Sequence, residues 1–246
     1  MNPFSVKTPE TLKAEDIASL FVDVYSDFPR LLEPEHTFIH GARGTGKSMM
    51  LRYLEPQVQV AANKVKYPSE LSHYAIHVPI KSPNYSLSEL ERLEGSPYWL
   101  LAEHFMICNI SLKILSSLKA LAVNEVSPEL EIFLADFLKI AGEEDPAIDG
   151  NRYLGFAYGL VERERVHAKK YMEKLAFSKE FLPYESVLFG YEDFFLPLVR
   201  LINSLSFTPN GSMYLMMDDA DNLPIRMQKI LNSWVSYRTT NDVCLK

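Results

Sequence analysis

Residues 41 to 48 read Gly-Ala-Arg-Gly-Thr-Gly-Lys-Ser, and this octapeptide constrains the fold more than any other stretch of the chain. Three glycines in six positions let the backbone double back tightly and leave its N–H groups uncovered. The run before it, His36-Thr37-Phe38-Ile39-His40, is β-type. The run after it, Ser48-Met49-Met50-Leu51-Arg52-Tyr53-Leu54, is made mostly of helix formers, and Pro56 is expected to stop it. Strand, glycine loop and helix in that order belong to an α/β fold with a parallel sheet.

The pattern G-x-x-x-x-G-K-[ST] is that of a phosphate-binding loop. Gly41, Ala42, Arg43, Gly44, Thr45, Gly46, Lys47, Ser48 and Met49 are the expected nucleotide-binding residues. Lys47 reaches terminal phosphates as a point charge and serves as a catalytic group. The Ser48 hydroxyl suits Mg²⁺. A phosphate loop is half a site, because the metal also needs a carboxylate at the end of a neighbouring buried strand. Ser212-Met213-Tyr214-Leu215-Met216-Met217 is apolar enough for a strand buried on both faces, and Asp218 is the first charge after it. Asp218 is therefore the expected second metal ligand, and Asp219 the expected catalytic residue that polarises water. Asp221, two residues on, is the alternative or helper to Asp219; because Asp219, Asp221 and Asn222 precede a helix that starts at Pro224, a helix N-cap cluster is the competing reading for Asp218 and these neighbours. ATP and Mg²⁺ are the expected ligands.

Lys47 and Asp218 stand 171 residues apart (218 − 47). A minimal nucleotide core needs one or two crossover units in that interval. The fold expected is thus a P-loop core, a parallel sheet sandwiched by helices, interrupted by a large, mainly helical insertion. Residues 1–96 form the first part of the core, 97–206 the insertion and 207–246 the second part. Within the first part, residues 9–32 are expected to be helical, with Leu12, Ile17, Leu20, Phe21 and Val24 on its apolar face. Tyr74-Ala75-Ile76-His77-Val78 reads as a strand with Tyr74, Ile76 and Val78 facing one side, and residues 79–96 as loop. Within the insertion, 97–123, 128–141, 152–176 and 191–205 have helical spacing, and Glu143-Glu144-Asp145-Pro146 with Gly150 separates two of them. Val243-Cys244-Leu245 begins a further strand.

Composition removes several classes. The net charge of −7 disfavours a broadly basic surface for coating nucleic acid. Two cysteines, Cys108 and Cys244, give no disulfide framework, which fits a cytoplasmic protein. No apolar run approaches the roughly 18 residues of a membrane span, and the N-terminus lacks the pattern of a signal peptide. His36 and His40, like His73 and His77, are four apart, about 13 Å on a strand and too far for one metal; surface or packing roles are expected. His104 and Cys108 lie one helical turn apart, an ordinary helix face without further ligands nearby. Arg238 is expected at a helix C-terminus, with approach to a neighbouring subunit's nucleotide as the alternative.

Thr37 to Ser48 together with Met216-Met217-Asp218-Asp219-Ala220-Asp221 resembles the AAA+ superfamily, within it the origin-recognition-complex-like branch, and more distantly the STAND ATPases. The resemblance covers residues 10–80 and 212–246 and leaves out the helical stretch. It implies Lys47 and Ser48 on phosphate and Mg²⁺, Asp218 on Mg²⁺ and Asp219 at the water-activating position. The family carries Glu there, and the shorter Asp219 implies slow hydrolysis. A polar sensor residue and a lid with a sensor arginine are expected after the Val243 strand, so the chain reads as truncated. Bacterial stand-alone ATPases of this kind resemble components of antiphage defence, and DNA binding is implied by the resemblance alone.

The function expected is an ATP-driven switch that couples nucleotide state to assembly or effector control, with a protein partner or a second copy engaged by the helical insertion. A P-loop small-molecule kinase and a non-hydrolysing assembly subunit are the alternatives. The chain has no N-K-x-D string for guanine and no L-S-G-G-Q string of ABC heads.

Overall fold

The computed structural model describes residues 9–23, 28–42, 44–81, 88–122, 127–143, 152–178, 180 and 182–246. Arg43, Val24 and the break from Glu144 to Gly150 lie outside the described residues. The described residues form a mixed α/β structure in two compact units. The first takes the described residues up to Pro79, Asn203–Asp219 and Arg238–Lys246; the second takes Ile80–Ile202 and Ala220–Tyr237.

The first unit holds three parallel strands, β1 (Tyr74–Pro79), β2 (Met213–Asp218) and β3 (Val243–Leu245), in the order β1-β2-β3. The register sets Tyr74 beside Met213, His77 beside Met216, Pro79 beside Asp218 and Leu215 beside Leu245. Every residue of β2 is buried, as its unbroken apolar run requires. In β1 the expected face of Tyr74, Ile76 and Val78 is buried, and so is the opposite face with Ala75 and His77. That opposite face continues across Tyr214, Met216 and Cys244. Against it pack Leu31 and the Met50, Leu51 and Leu54 side chains of the segment around α2 (Lys47–Tyr53). Each such aliphatic side chain removed from water contributes about 1.5–3 kcal/mol.

Three local expectations need correction. Residues 9–32 are not one helix: a 3₁₀ turn (Pro9–Thr11) is followed by α1 (Ala14–Leu20) and a second 3₁₀ turn (Phe28–Leu32). The chain leaves the helix at Phe21, which turns extended and stacks on Tyr53 with ring centres 3.8 Å apart. Residues 36–40 form no strand. Thr37 N–H donates to Leu245 O (2.9 Å), while Leu245 N–H goes to the His36 ring nitrogen Nδ1 (3.1 Å), so a side chain occupies the place of a backbone acceptor. Pro56 starts a helix as well as following one: α2 ends at Tyr53, and α3 (Pro56–Ala61) begins on the proline, where its missing N–H costs nothing.

The second unit is helical. It contains α4 (Ser96–Leu121), α5 (Pro128–Ala141), α6 (Tyr153–Phe177), α7 (Leu196–Asn203, except its last residue) and α8 (Ile225–Ser236). The bounds fall within a few residues of those read from apolar spacing. The expected loop over 79–96 contains a 3₁₀ turn, Ser88–Arg92, and residues 82–87 lie outside the described residues. The helix expected from 191 opens as a π-type turn, Tyr191–Phe195, before α7. Local chemistry sets α5: the Ser127 side chain accepts the Leu130 N–H, Pro128 takes the first turn, and Gly142 ends the helix at φ 70°. Inside the unit Phe189 stacks on Phe194 (3.8 Å), and the Trp234 indole N–H donates to Glu103 (2.8 Å), tying α8 to α4. Among the described residues no helix is long and apolar enough to cross a membrane.

Candidate functional site

The glycine loop lies in the first unit, between the segment 36–40 and α2. Gly44 (φ 86°) and Gly46 (φ 89°) hold the left-handed conformation that L side chains resist, and they turn the chain so that the helix starts at Lys47. Thr45 closes the turn, its hydroxyl donating to Ala42 O at 2.9 Å. The Lys47 ammonium donates to Gly41 O (2.7 Å) and Ala42 O (3.0 Å), so it lies over its own loop. Gly44, Thr45 and Gly46 are exposed, while Lys47, Ser48 and Met49 are half-buried at the first turn of α2. Arg52, one turn on, holds the backbone carbonyls of Pro9 (2.5 Å) and Leu12 (3.1 Å), anchoring the preceding segment to this helix.

Asp218 closes β2 and is buried (4 % exposed). The Ser48 hydroxyl and the Lys47 ammonium both lie close enough to its carboxylate to favour the charged form. His77 Nε2 stands 3.0 Å from Asp218 Oδ2, with both side chains almost wholly enclosed. Burial works to raise the Asp218 pKa, but the His77 hydrogen bond, the nearby Ser48 hydroxyl and the neighbouring positive charge outweigh it, and the carboxyl lies below its ordinary value. Asp218 is therefore ionised, and His77 Nε2 carries the proton it donates.

Of the residues singled out in the sequence, the structure brings Lys47, Ser48 and Asp218 together. Asp219 is exposed and left-handed (φ 57°), the residue that turns the chain off the strand end. Asp221 and Asn222 lie in a 3₁₀ turn (Ala220–Asn222) and do not cap α8, which begins behind Pro224 without a side-chain cap. Asn222 instead donates to Ile80 O (3.4 Å). Arg238 follows α8, exposed and left-handed (φ 52°).

His77 is the residue missed. A packing role matched its burial but not its hydrogen bond to Asp218. Its signal was parity: residues two apart on a strand share a face. Met216 beside His77 puts Asp218, two further on, diagonally across on the same side. That inference needs the register, which one strand alone does not supply. His73 does pack, stacking on Tyr214 at 5.0 Å. His104 and Cys108 are both fully enclosed, 3.6 Å apart, and His104 Nδ1 accepts the Phe189 N–H.

The donor set fits a hard divalent cation. Ser48 and Asp218 offer oxygen, and Mg²⁺ is usually held by one or two protein oxygens with phosphate and water completing the shell. Among the described residues no group of three or more His, Cys, Asp or Glu forms a protein cage for a metal.

No curated protein and no solved structure matches the chain. A family model does: ORC-CDC6-like, over residues 2–246. The likeness read from two motifs thus extends through the helical stretch between them. With a match spanning nearly its whole length, the chain belongs to the ORC-CDC6-like family of AAA+-type nucleotide-binding proteins.

Proposed function

We propose that the chain is an ATP-binding switch that hydrolyses its nucleotide slowly and uses the helical stretch 97–206, read as an insertion in the nucleotide core, to engage a protein partner or a second copy. The observation that carries the nucleotide part is the convergence of Lys47 and Ser48 on the buried, ionised Asp218. In this reading the backbone from Gly41 to Gly46 and Met49 wraps the phosphates, and Lys47 leaves the carbonyls of its loop for the terminal phosphate. Ser48 and Asp218 would hold Mg²⁺, which supplies charge neutralisation at the β- and γ-phosphate oxygens. Asp219 takes the proton of the attacking water, and its short side chain supports slow turnover. A hydroxyl and an ionised carboxylate meeting beside a lysine at a glycine loop match phosphate chemistry better than a structural turn. The resemblance to stand-alone bacterial ATPases supports antiphage defence as the setting.

The test is binding of a fluorescent ATP analogue to the wild type and to Lys47→Ala. Lys47 holds two carbonyls of its own loop, so the thermal midpoint of the variant is measured alongside and affinities are compared well below it. Affinity is expected to fall at least about tenfold, the worth of one charge-assisted contact. Equal affinity in the folded variant would sink the reading.

A further inference from the structure

His77 is the one polar side chain of β1 on the face that carries Asp218, and it spends a hydrogen bond on that carboxylate. The pair is enclosed, with side-chain exposures of 6 % and 4 %. A carboxylate on a single strand end swings about two side-chain torsions. Here Oδ2 is tethered by an imidazole from the neighbouring strand, and the Ser48 hydroxyl of α2 lies near the same carboxylate. The carboxylate is thereby restrained by a hydrogen bond from a different strand.

We propose that His77 is a positioning residue that sets the metal affinity of the site. By committing Oδ2 to the protein, its N–H orients the remaining lone pairs of Asp218 beside Ser48. This deepens the reading of Ser48 and Asp218 as the metal side of a nucleotide site and rests on it. Hydrogen-bond partners of metal-binding carboxylates tune affinity without touching the ion, and their loss typically costs about 10–100-fold. Packing alone does not account for the pair. An apolar residue at 77 would fill the same space, yet leave Asp218 charged, buried and short of one donor.

The experiment titrates Mg²⁺ into the full chain holding a fluorescent ATP analogue, for wild type, His77→Ala, His77→Phe and His77→Gln. Analogue affinity is measured in parallel in EDTA, and folding is checked by thermal melting. For His77→Ala and His77→Phe the Mg²⁺ midpoint is expected to rise about tenfold or more, with metal-free affinity kept within about twofold. His77→Gln, which retains an N–H donor at similar reach, is expected to stay within about threefold of wild type in Mg²⁺ midpoint. An unchanged Mg²⁺ midpoint in whichever of the donor-less variants folds would overturn the proposal while nucleotide binding stands. So would a metal-free affinity that falls in step with the Mg²⁺ response, the mark of a merely structural role. If neither donor-less variant folds, His77→Gln decides: a threefold or smaller change supports the proposal, and a tenfold rise overturns it. A wild type that binds no analogue with or without Mg²⁺ removes the nucleotide reading itself, and this inference with it.

Discussion

Gly211→Ala tests how rigidly the strand bearing Asp218 is set. Gly211 sits at φ 130°, just before β2, and a Cβ there would lie 2.0 Å from Ser72 O and 2.9 Å from the Ser72 carbonyl carbon. The obstacle is backbone, so no side-chain rotation relieves it; Ser72 and Gly211 must part by about 1 Å or more to reach an ordinary contact. That separation pulls on three bonds that align the two strands: Tyr74 N–H to Ser212 O (3.1 Å), Asn210 N–H to Leu71 O (3.0 Å) and the Asn210 side chain to Ser69 O (3.0 Å). Backbone strain of about 1–3 kcal/mol and three weakened hydrogen bonds of about 1 kcal/mol each give a loss of roughly 4–6 kcal/mol. For a chain of this size that is about 10 °C in Tm. Gly44→Ala is the control: φ is 86°, but no atom lies within 4 Å of its Cβ, so only conformational strain of about 1–2 kcal/mol applies. Both variants are melted by far-ultraviolet circular dichroism. If Gly211→Ala melts no lower than Gly44→Ala, the steric reasoning is wrong.

Asp219 at φ 57° separates geometry from chemistry. Asp219→Asn, which tolerates the left-handed conformation, is expected to keep stability and ATP affinity but lose most turnover. Asp219→Val is expected to cost about 1–2 kcal/mol in denaturant unfolding, and equal stability of the two variants would refute the strain argument. His73 carries a pH signature. Burial, with the Lys246 charge behind it, lowers its pKa from 6.5 to about 4, so the folded state favours the neutral ring. That contribution is complete above pH 6.5 and is lost as pH falls towards 4, at most about 3 kcal/mol in all. Unfolding free energy measured from pH 7 to 4.5 should fall less steeply in His73→Phe, which keeps the stack on Tyr214.

Much of this architecture is legible without coordinates, and the misreadings share a cause. The apolar run before Asp218 and the helical spacings of α4, α5 and α6 announce themselves because burial repeats along each element. Local pattern fails where a distant residue decides. Phe21 breaks the first helix because Tyr53 offers it a stacking partner. Residues 36–40 have strand composition, yet the His36 ring accepts the N–H that a ladder would give to backbone. The Asp-Asp-Ala-Asp-Asn string looks like a helix cap until Pro224 sets the start of α8 by itself. The loop and Asp218 are legible in the sequence as the two halves of the proposed site. The hydrogen bond from His77 to Asp218 is not, because alternation within β1 says which residues share a side but not what stands opposite.

The 171 residues between Lys47 and Asp218 also have a kinetic meaning. β1 and β2 pair in parallel across most of that interval, so their closure comes after the local helices have formed and carries the larger entropic cost. A ligand that touches both the loop and Asp218 finds no complete site in a chain whose sheet is still open. In the proposed reading nucleotide would act as a clasp on this part of the fold: it would bind the closed sheet alone and slow its reopening as ligand concentration rises.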